Sequence, residues 1–240
     1  MTRTAIALIF AALAAAQTRT PVIVELFTSE GCSSCPPADN LLSRLSKNPN
    51  IDVIPLSEHV DYWNHLGWKD PFSASLFSAR QQDYGRMFRL ESVYTPQMVV
   101  NGQVEFSGSD RVRAEQEVRK AAQGPRATVE LTKLSDQAIR VRVDDVPAGT
   151  KNADMFLAIT ESLLETDVRN GENAGRHLAH TGVVRSLTTL GHIDAKKTTA
   201  YTADAKINLN QDWRRPNVKL VLFVQDRASR KIIGATTLQP

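Results

Sequence analysis

Val22-Ile23-Val24-Glu25-Leu26-Phe27, the short link Thr28 to Gly31, and then Cys32-Ser33-Ser34-Cys35-Pro36-Pro37 form the stretch on which the fold turns. The first six residues are β-branched or apolar except for Glu25. With Pro21 before them and a loop after, they predict a buried strand. Pro36 and Pro37 lack an N–H and suit the first turn of a helix. That helix carries Leu41, Leu42 and Leu45 at helical spacing and fails at Asn48-Pro49. Ile51 to Leu56 predicts a second, parallel strand, and strand, helix and strand in this order make a right-handed crossover.

Further along, His59 to Phe72 is an aromatic loop with Tyr62, Trp63, His65 and Trp68, followed by a helix expected from about Phe72 to Arg89. Gln97 to Val100 and Gln103 to Phe106 flank Asn101-Gly102, a two-residue hairpin signal because both residues tolerate positive φ. Ser109 caps a helix expected from Asp110 to Gln123, which stops at Gly124-Pro125. After Pro125 the texture changes to seven strand-forming segments: Thr128–Leu134, Ala138–Val143, Met155–Thr160, Val183–Thr189, Thr198–Leu209, Lys219–Val224 and Lys231–Leu238. Several alternate apolar with polar residues, which predicts an antiparallel β-sandwich. The organisation expected is an α/β domain over 20–124 followed by an all-β sandwich-like domain over 125–240.

Arg3 precedes an apolar run, Ala5 to Ala16, ending in Ala14-x-Ala16. This is the layout of a secretory signal over residues 1–16, removed near Ala16, and predicts a periplasmic or secreted protein. The run is too short to cross a bilayer comfortably, and no other stretch has that length, so the mature chain is expected not to span a membrane. Net charge is +3, or +2 without Arg3, with the basic residues scattered, which argues against nucleic acid as a partner. The chain holds only two cysteines. A bridge between residues three apart removes little chain entropy, so stapling explains the pair poorly, and chemistry or metal binding explains it better.

The segment Val24 to Asp39, including Glu30-Gly31-Cys32-Ser33-Ser34-Cys35-Pro36-Pro37, resembles a secreted thioredoxin-like family catalogued as domain-of-unknown-function family 1223. His59-Val60-Asp61-Tyr62-Trp63, Leu66 to Phe72, Tyr94-Thr95-Pro96-Gln97-Met98-Val99-Val100 and Gly171-Glu172-Asn173-Ala174-Gly175-Arg176 are similar to that family too. The resemblance covers most of the mature chain. It implies a thioredoxin-like fold for the first domain and no substrate.

A thiolate is the nucleophile of disulfide exchange, so one cysteine must have a lowered pKa without being buried. Cys32 is expected at the start of the helix, where free N–H groups and the macrodipole favour a charged sulfur, with Cys35 one turn on as the more buried resolving residue. The hydroxyls of Ser33 and Ser34 can donate to the thiolate. By resemblance, the Thr95-Pro96 bond is cis and leaves the Thr95 backbone beside Cys32 for an extended substrate; an ordinary trans proline opening a strand is the alternative. Glu25, costly to bury alone, either sits where thioredoxins keep a buried acid or is salt-bridged. His59 and Asp61 follow the second strand, at the sheet end that also carries the cysteines, where His59 tunes the thiolate or merely packs. The 171–176 loop, with Glu172, Asn173 and Arg176, either leans on the first domain and shapes the site or is a solvated hairpin.

The leading reading is thus an exported thiol–disulfide oxidoreductase. Its redox disulfide is the only prosthetic device, a thiol or disulfide compound or protein is its substrate, and a membrane or periplasmic redox protein is its partner. Copper or zinc held by Cys32 and Cys35 with His59 or His65 is the alternative. A scaffold whose β-rich half does the work is a third.

Overall fold

Val22–Thr28 (β1) is buried along its whole length, as an apolar strand must be when helices or other layers cover both faces of its sheet. It runs parallel to Val53–His59 (β2), in register from Val22–Val53 to Thr28–His59. On its other side it is antiparallel to Gln97–Val100 (β3). Between β1 and β2 lies Pro36–Leu45 (α1), with both prolines in its first turn. The Asn101-Gly102 turn, with φ of 47° and 66°, leads into Val104–Ser107 (β4) as expected. Ser75–Phe88 (α2) and Arg111–Ala121 (α3) complete the helices. Asp110 caps α3, where Ser109 was expected to.

The period-2 alternation of β1 sorts its side chains onto two faces. Val22, Val24 and Leu26 meet Leu41, Leu42 and Leu45 of α1 and Ala114 and Val118 of α3. Ile23 and Phe27 turn the other way, toward Phe77 and Tyr84 of α2.

The computed structural model describes residues 20–124, 126–198 and 200–240; the leader expected over residues 1–16 lies outside them. The described residues give Thr128–Ser135 (β5), Ala138–Asp144 (β6), Asn152–Glu161 (β7), Leu164–Asp167 (β8), His177–His180 (β9), Val183–Asp194 (β10), Tyr201–Lys206 (β11), Val218–Asp226 (β12) and Ile232–Leu238 (β13). They do not form a separate antiparallel sandwich. One mixed eight-stranded sheet runs β13-β12-β7-β10-β2-β1-β3-β4, so it crosses position 124. β10 joins β2 in parallel at Val183–Ser57 and covers an edge that β2 would otherwise leave open. The approach needs a glycine: at Gly182 a Cβ would stand 2.5 Å from the Pro55 carbonyl oxygen, and φ is +65°. The strands β11-β6-β5 form a second sheet. Ile139, Val141 and Val143 of that sheet close over Met155, Leu157, Leu220 and Leu222. With three α-helices among thirteen strands, the described chain is mostly β; the helices all lie in the first half, in the order β-α-β-α-β-β-α expected there. No helix among the described residues is long and apolar enough to cross a membrane.

Candidate redox site

β1 and β2 end side by side at Thr28 and His59, and the loop that leaves Thr28 carries the cysteines. Cys32 and Cys35 are joined by a disulfide, with Cα atoms 5.4 Å apart. The Cys35 N–H donates to the Cys32 carbonyl at 3.2 Å, and the N–H groups of Ala38 and Asp39 donate to the Cys35 carbonyl at 2.9 and 3.2 Å. Cys35, not Cys32, is therefore the helix N-cap. Cys32 stands a further turn out, because the two prolines set where the helix begins. The Ser34 hydroxyl lies 3.3 Å from the Cys32 sulfur, whereas Ser33 turns its backbone N–H elsewhere. Contrary to expectation for an attacking cysteine, Cys32 is as buried as Cys35, both 0% exposed.

What covers them comes from both halves of the chain. Asn173, itself fully buried, donates from Nδ2 to the carbonyls of Glu30 at 2.8 Å and Cys32 at 2.9 Å. Glu172 accepts the Ser33 N–H at 3.0 Å, and the Ser33 side chain, together with that N–H, holds its carboxyl below the ordinary value. Arg176 is exposed and closes its own loop, its N–H donating to the Asn173 carbonyl at 3.0 Å. The Thr95-Pro96 bond is cis. Pro96 immediately precedes Gln97, the partner of Phe27, and so lies level with the start of the cysteine loop. Thr95 accepts the Trp63 indole N–H at 2.8 Å.

Beneath the loop lies a buried acid–imidazole cluster. His59 Nδ1 is 2.7 Å from Asp70 Oδ2, which also accepts the Glu30 N–H at 2.8 Å. Against the burial that works to raise it, His59 and the N–H groups of Glu30 and Phe72 hold the Asp70 carboxyl below its ordinary value. A carboxylate only accepts, so His59 Nδ1 carries the proton. His180 Nε2 is 3.1 Å from Glu30 Oε1, and the Trp68 indole donates to Glu30 Oε2 at 2.8 Å. The two imidazoles meet edge to face with centroids 4.9 Å apart. Asp39 reaches the same region from α1, one turn after Cys35. Burial pushes its carboxyl up to about 7, with the His180 charge and the Thr28 hydroxyl pulling it down and Asp70 and Glu30 pushing it up. Thr28 Oγ1, Asp39 Oδ1, His59 Nε2 and His180 Nδ1 are all buried without a hydrogen-bond partner.

The other candidates lie apart. Glu25 faces α2, where Arg80 Nε donates to one carboxylate oxygen and the Tyr84 hydroxyl to the other, each at 2.6 Å. Glu25 is thus fully buried and salt-bridged. Asp61 accepts from Ser78 of α2 at 2.5 Å and fastens that helix to the chain after β2. His65 is exposed. Among the described residues, no group of three or more His, Cys, Asp or Glu side chains is placed to hold a metal ion. Neither His59, engaged with Asp70, nor His65 joins the cysteines as a donor set.

Sequence reading missed Glu30, Asp39, Trp68, Asp70, Arg80 and His180. One signal was available: Asp39 stands three residues before Leu42 and four after Cys35, so a carboxylate occupies the apolar stripe of α1.

Residues 23–225 match the family described as "Protein of unknown function (DUF1223)". The chain belongs to that family. No curated protein matches it. The crystal structure of protein AGR_C_4864 from Agrobacterium tumefaciens superposes with a TM-score of 0.71 at 28% identity, covering 93% of this chain and 96% of that one. A domain of the outer membrane lipoprotein Omp28 from Porphyromonas gingivalis gives a TM-score of 0.26 at 13% identity, over 48% of this chain and 88% of that one.

Proposed function

We propose that this member of the DUF1223 family is an exported thiol–disulfide oxidoreductase-like protein, its Cys32–Cys35 pair cycling between disulfide and dithiol on protein or small thiol substrates. The observation that carries the reading is the bridge itself, formed between residues three apart at the joint of β1 and α1. So short a loop adds little stability. Its position at the carboxyl end of two parallel strands is where such sheets keep their reactive groups.

Three further features support the reading. The order β2-β1-β3-β4, with α1 and α2 on opposite faces, supports a thioredoxin-like unit over 20–124 and a second, β-rich unit over 125–240 that shares its sheet. The Arg3, Ala5–Ala16 and Ala14-x-Ala16 pattern supports export, with removal near Ala16, and a membrane or periplasmic redox protein as partner. The acid–imidazole cluster supplies protons where exchange consumes them.

In the reductive direction, an incoming thiolate attacks the Cys32 sulfur, and the Cys32–Cys35 bond breaks with its electron pair on Cys35. Cys35 then takes a proton, and Asp39, one turn along α1 with its carboxyl pushed up to about 7 by burial, is the donor this reading assigns. A second thiol of the reductant attacks its own sulfur in the mixed disulfide, and Cys32 leaves and is protonated. Two electrons and two protons pass from dithiol to protein.

Equilibration of the native protein in graded glutathione buffers, read by alkylation and mass spectrometry, tests this. A two-electron transition is expected; Cys35→Ala traps a mixed disulfide on Cys32, and Cys32→Ala forms none. A bridge that stays closed through all native buffers and opens only on denaturation overturns the proposal.

A further inference from the structure

β8 and β9 pair only with each other, outside the eight-stranded sheet. A two-stranded ribbon is marginal alone, so its place depends on what it docks against. Its tip, residues 168–176, is closed at the neck: the Val168 N–H donates to the Arg176 carbonyl at 3.0 Å, and the Gly175 N–H to the Val168 carbonyl at 2.8 Å. Gly171 and Gly175 both take left-handed φ, 78° and 81°. The tip's polar contacts with the cysteine loop end on backbone: Asn173 on the carbonyls of Glu30 and Cys32, and Glu172 on the Ser33 N–H.

A thiolate attacks a disulfide sulfur along the S–S axis and needs an open approach, yet both cysteines are fully buried. The closed state also carries a flaw. Asn173 Oδ1 is buried without a partner, a cost that disappears when the tip lifts and water reaches it. A residue chosen only to fill space would not leave a half-satisfied amide in the interior.

We propose that residues 168–176 form a latch over the disulfide and that Asn173 is the positioning residue holding it shut. The latch regulates the redox site proposed above and rests on that reading. Glu172 and Asn173 occupy the backbone groups of the cysteine loop until the tip moves. Lifting the tip frees the Ser33 N–H and the Cys32 carbonyl and opens the way to the sulfurs. Opening is confined to the tip, since Leu178 and His180 of β9 remain buried against the first half of the chain.

The test is the rate at which dithiothreitol reduces the native protein, quenched by alkylation and read by mass spectrometry. Losing two donated hydrogen bonds, Asn173→Ala is expected to reduce about tenfold faster or more. Circular dichroism and the thermal midpoint check that it remains folded. Glu172→Ala, altered at an exposed side chain, is expected to gain about two- to threefold in the same direction. In the wild-type protein, the Ser33 amide should exchange with deuterium far faster than the Val24 amide of β1, a reading that stands even where Asn173→Ala does not fold. Equal reduction rates in wild type and folded variants, or Ser33 exchanging as slowly as Val24, overturn the latch and leave the redox reading intact. No native-state reduction in any of them overturns the redox reading.

Discussion

The same two strands, β1 and β2, carry a buried polar cluster on each face, and the two clusters differ in what they are built from and in what they stand beside. On the α2 face, Arg80 sits between Glu25 and Glu58, 2.6 and 3.6 Å from its Nε. Its guanidinium lies over the rings of Phe156 and Phe223, and Gln225 donates to the Tyr84 hydroxyl at 2.8 Å. Burial and the Glu25 charge push the Glu58 carboxyl well above its ordinary value, against the pull of the Arg80 charge. Both faces leave buried polar atoms without a partner: the two Glu58 oxygens on the α2 face, and one atom each of Thr28, Asp39, His59 and His180 on the α1 face. The first is centred on one buried cation that ties both strands to α2. The second is built from imidazoles and carboxyls beside a disulfide and is suited to moving protons.

The largest expected effect tests the structural half. Arg80→Met strands Glu25 in an apolar interior and should cost about 3–5 kcal/mol in urea unfolding. Adding Glu25→Gln should recover much of that loss, since the uncompensated charge goes with it. Native-state reduction of Cys32–Cys35 should stay unchanged in the folded double variant. A large change in reduction rate there would break the division between the faces.

Asp39→Asn sharpens the other half. Burial pushes the folded carboxyl up to about 7 from its ordinary 3.8, so the native state binds the extra proton across that window. Stability should therefore fall as pH rises through about 4 to 7. Asparagine removes the slope. The variant should be more stable than wild type at pH 8 by at most about 4 kcal/mol, with the difference shrinking toward pH 4. Urea midpoints at the two pH values measure it. If Asp39 also supplies the Cys35 proton, the pH dependence of reduction below 7 should flatten in the same variant.

Local chemistry made much of this fold legible. β1 follows from its apolar run, the start of α1 from Pro36-Pro37, and the hairpin from Asn101-Gly102. β2 was expected to end at Leu56, yet it continues through Ser57, Glu58 and His59, because polar side chains hide a strand whose partners cover it. The junction of the two halves was invisible for a related reason: it rests on Val183 meeting Ser57, and no periodicity reports a pairing so distant. Of the site, the cysteines and Thr95-Pro96 could be read directly. His180 could not, since its partner Glu30 lies 150 residues away, and the burial that makes Asp39 unusual belongs to the folded state.

The smallest expected effect falls where the two halves of the chain touch above the sulfurs. At Gly171 a Cβ would lie 3.2 Å from the Trp68 Cβ, and its φ of +78° is one that L side chains rarely adopt. Gly171→Ala should therefore cost about 1 kcal/mol in urea unfolding. The loss should fall on the tip alone, because the residue contacts the 66–68 loop and not the sheet. Global unfolding releases the tip as well, so a purely structural strain would lower the urea midpoint and leave native reduction as slow as before. Strain in a latch does both: it lowers the midpoint slightly and speeds native reduction severalfold. Both measurements on this one variant therefore separate a loop that merely packs over the cysteines from one that governs access to them.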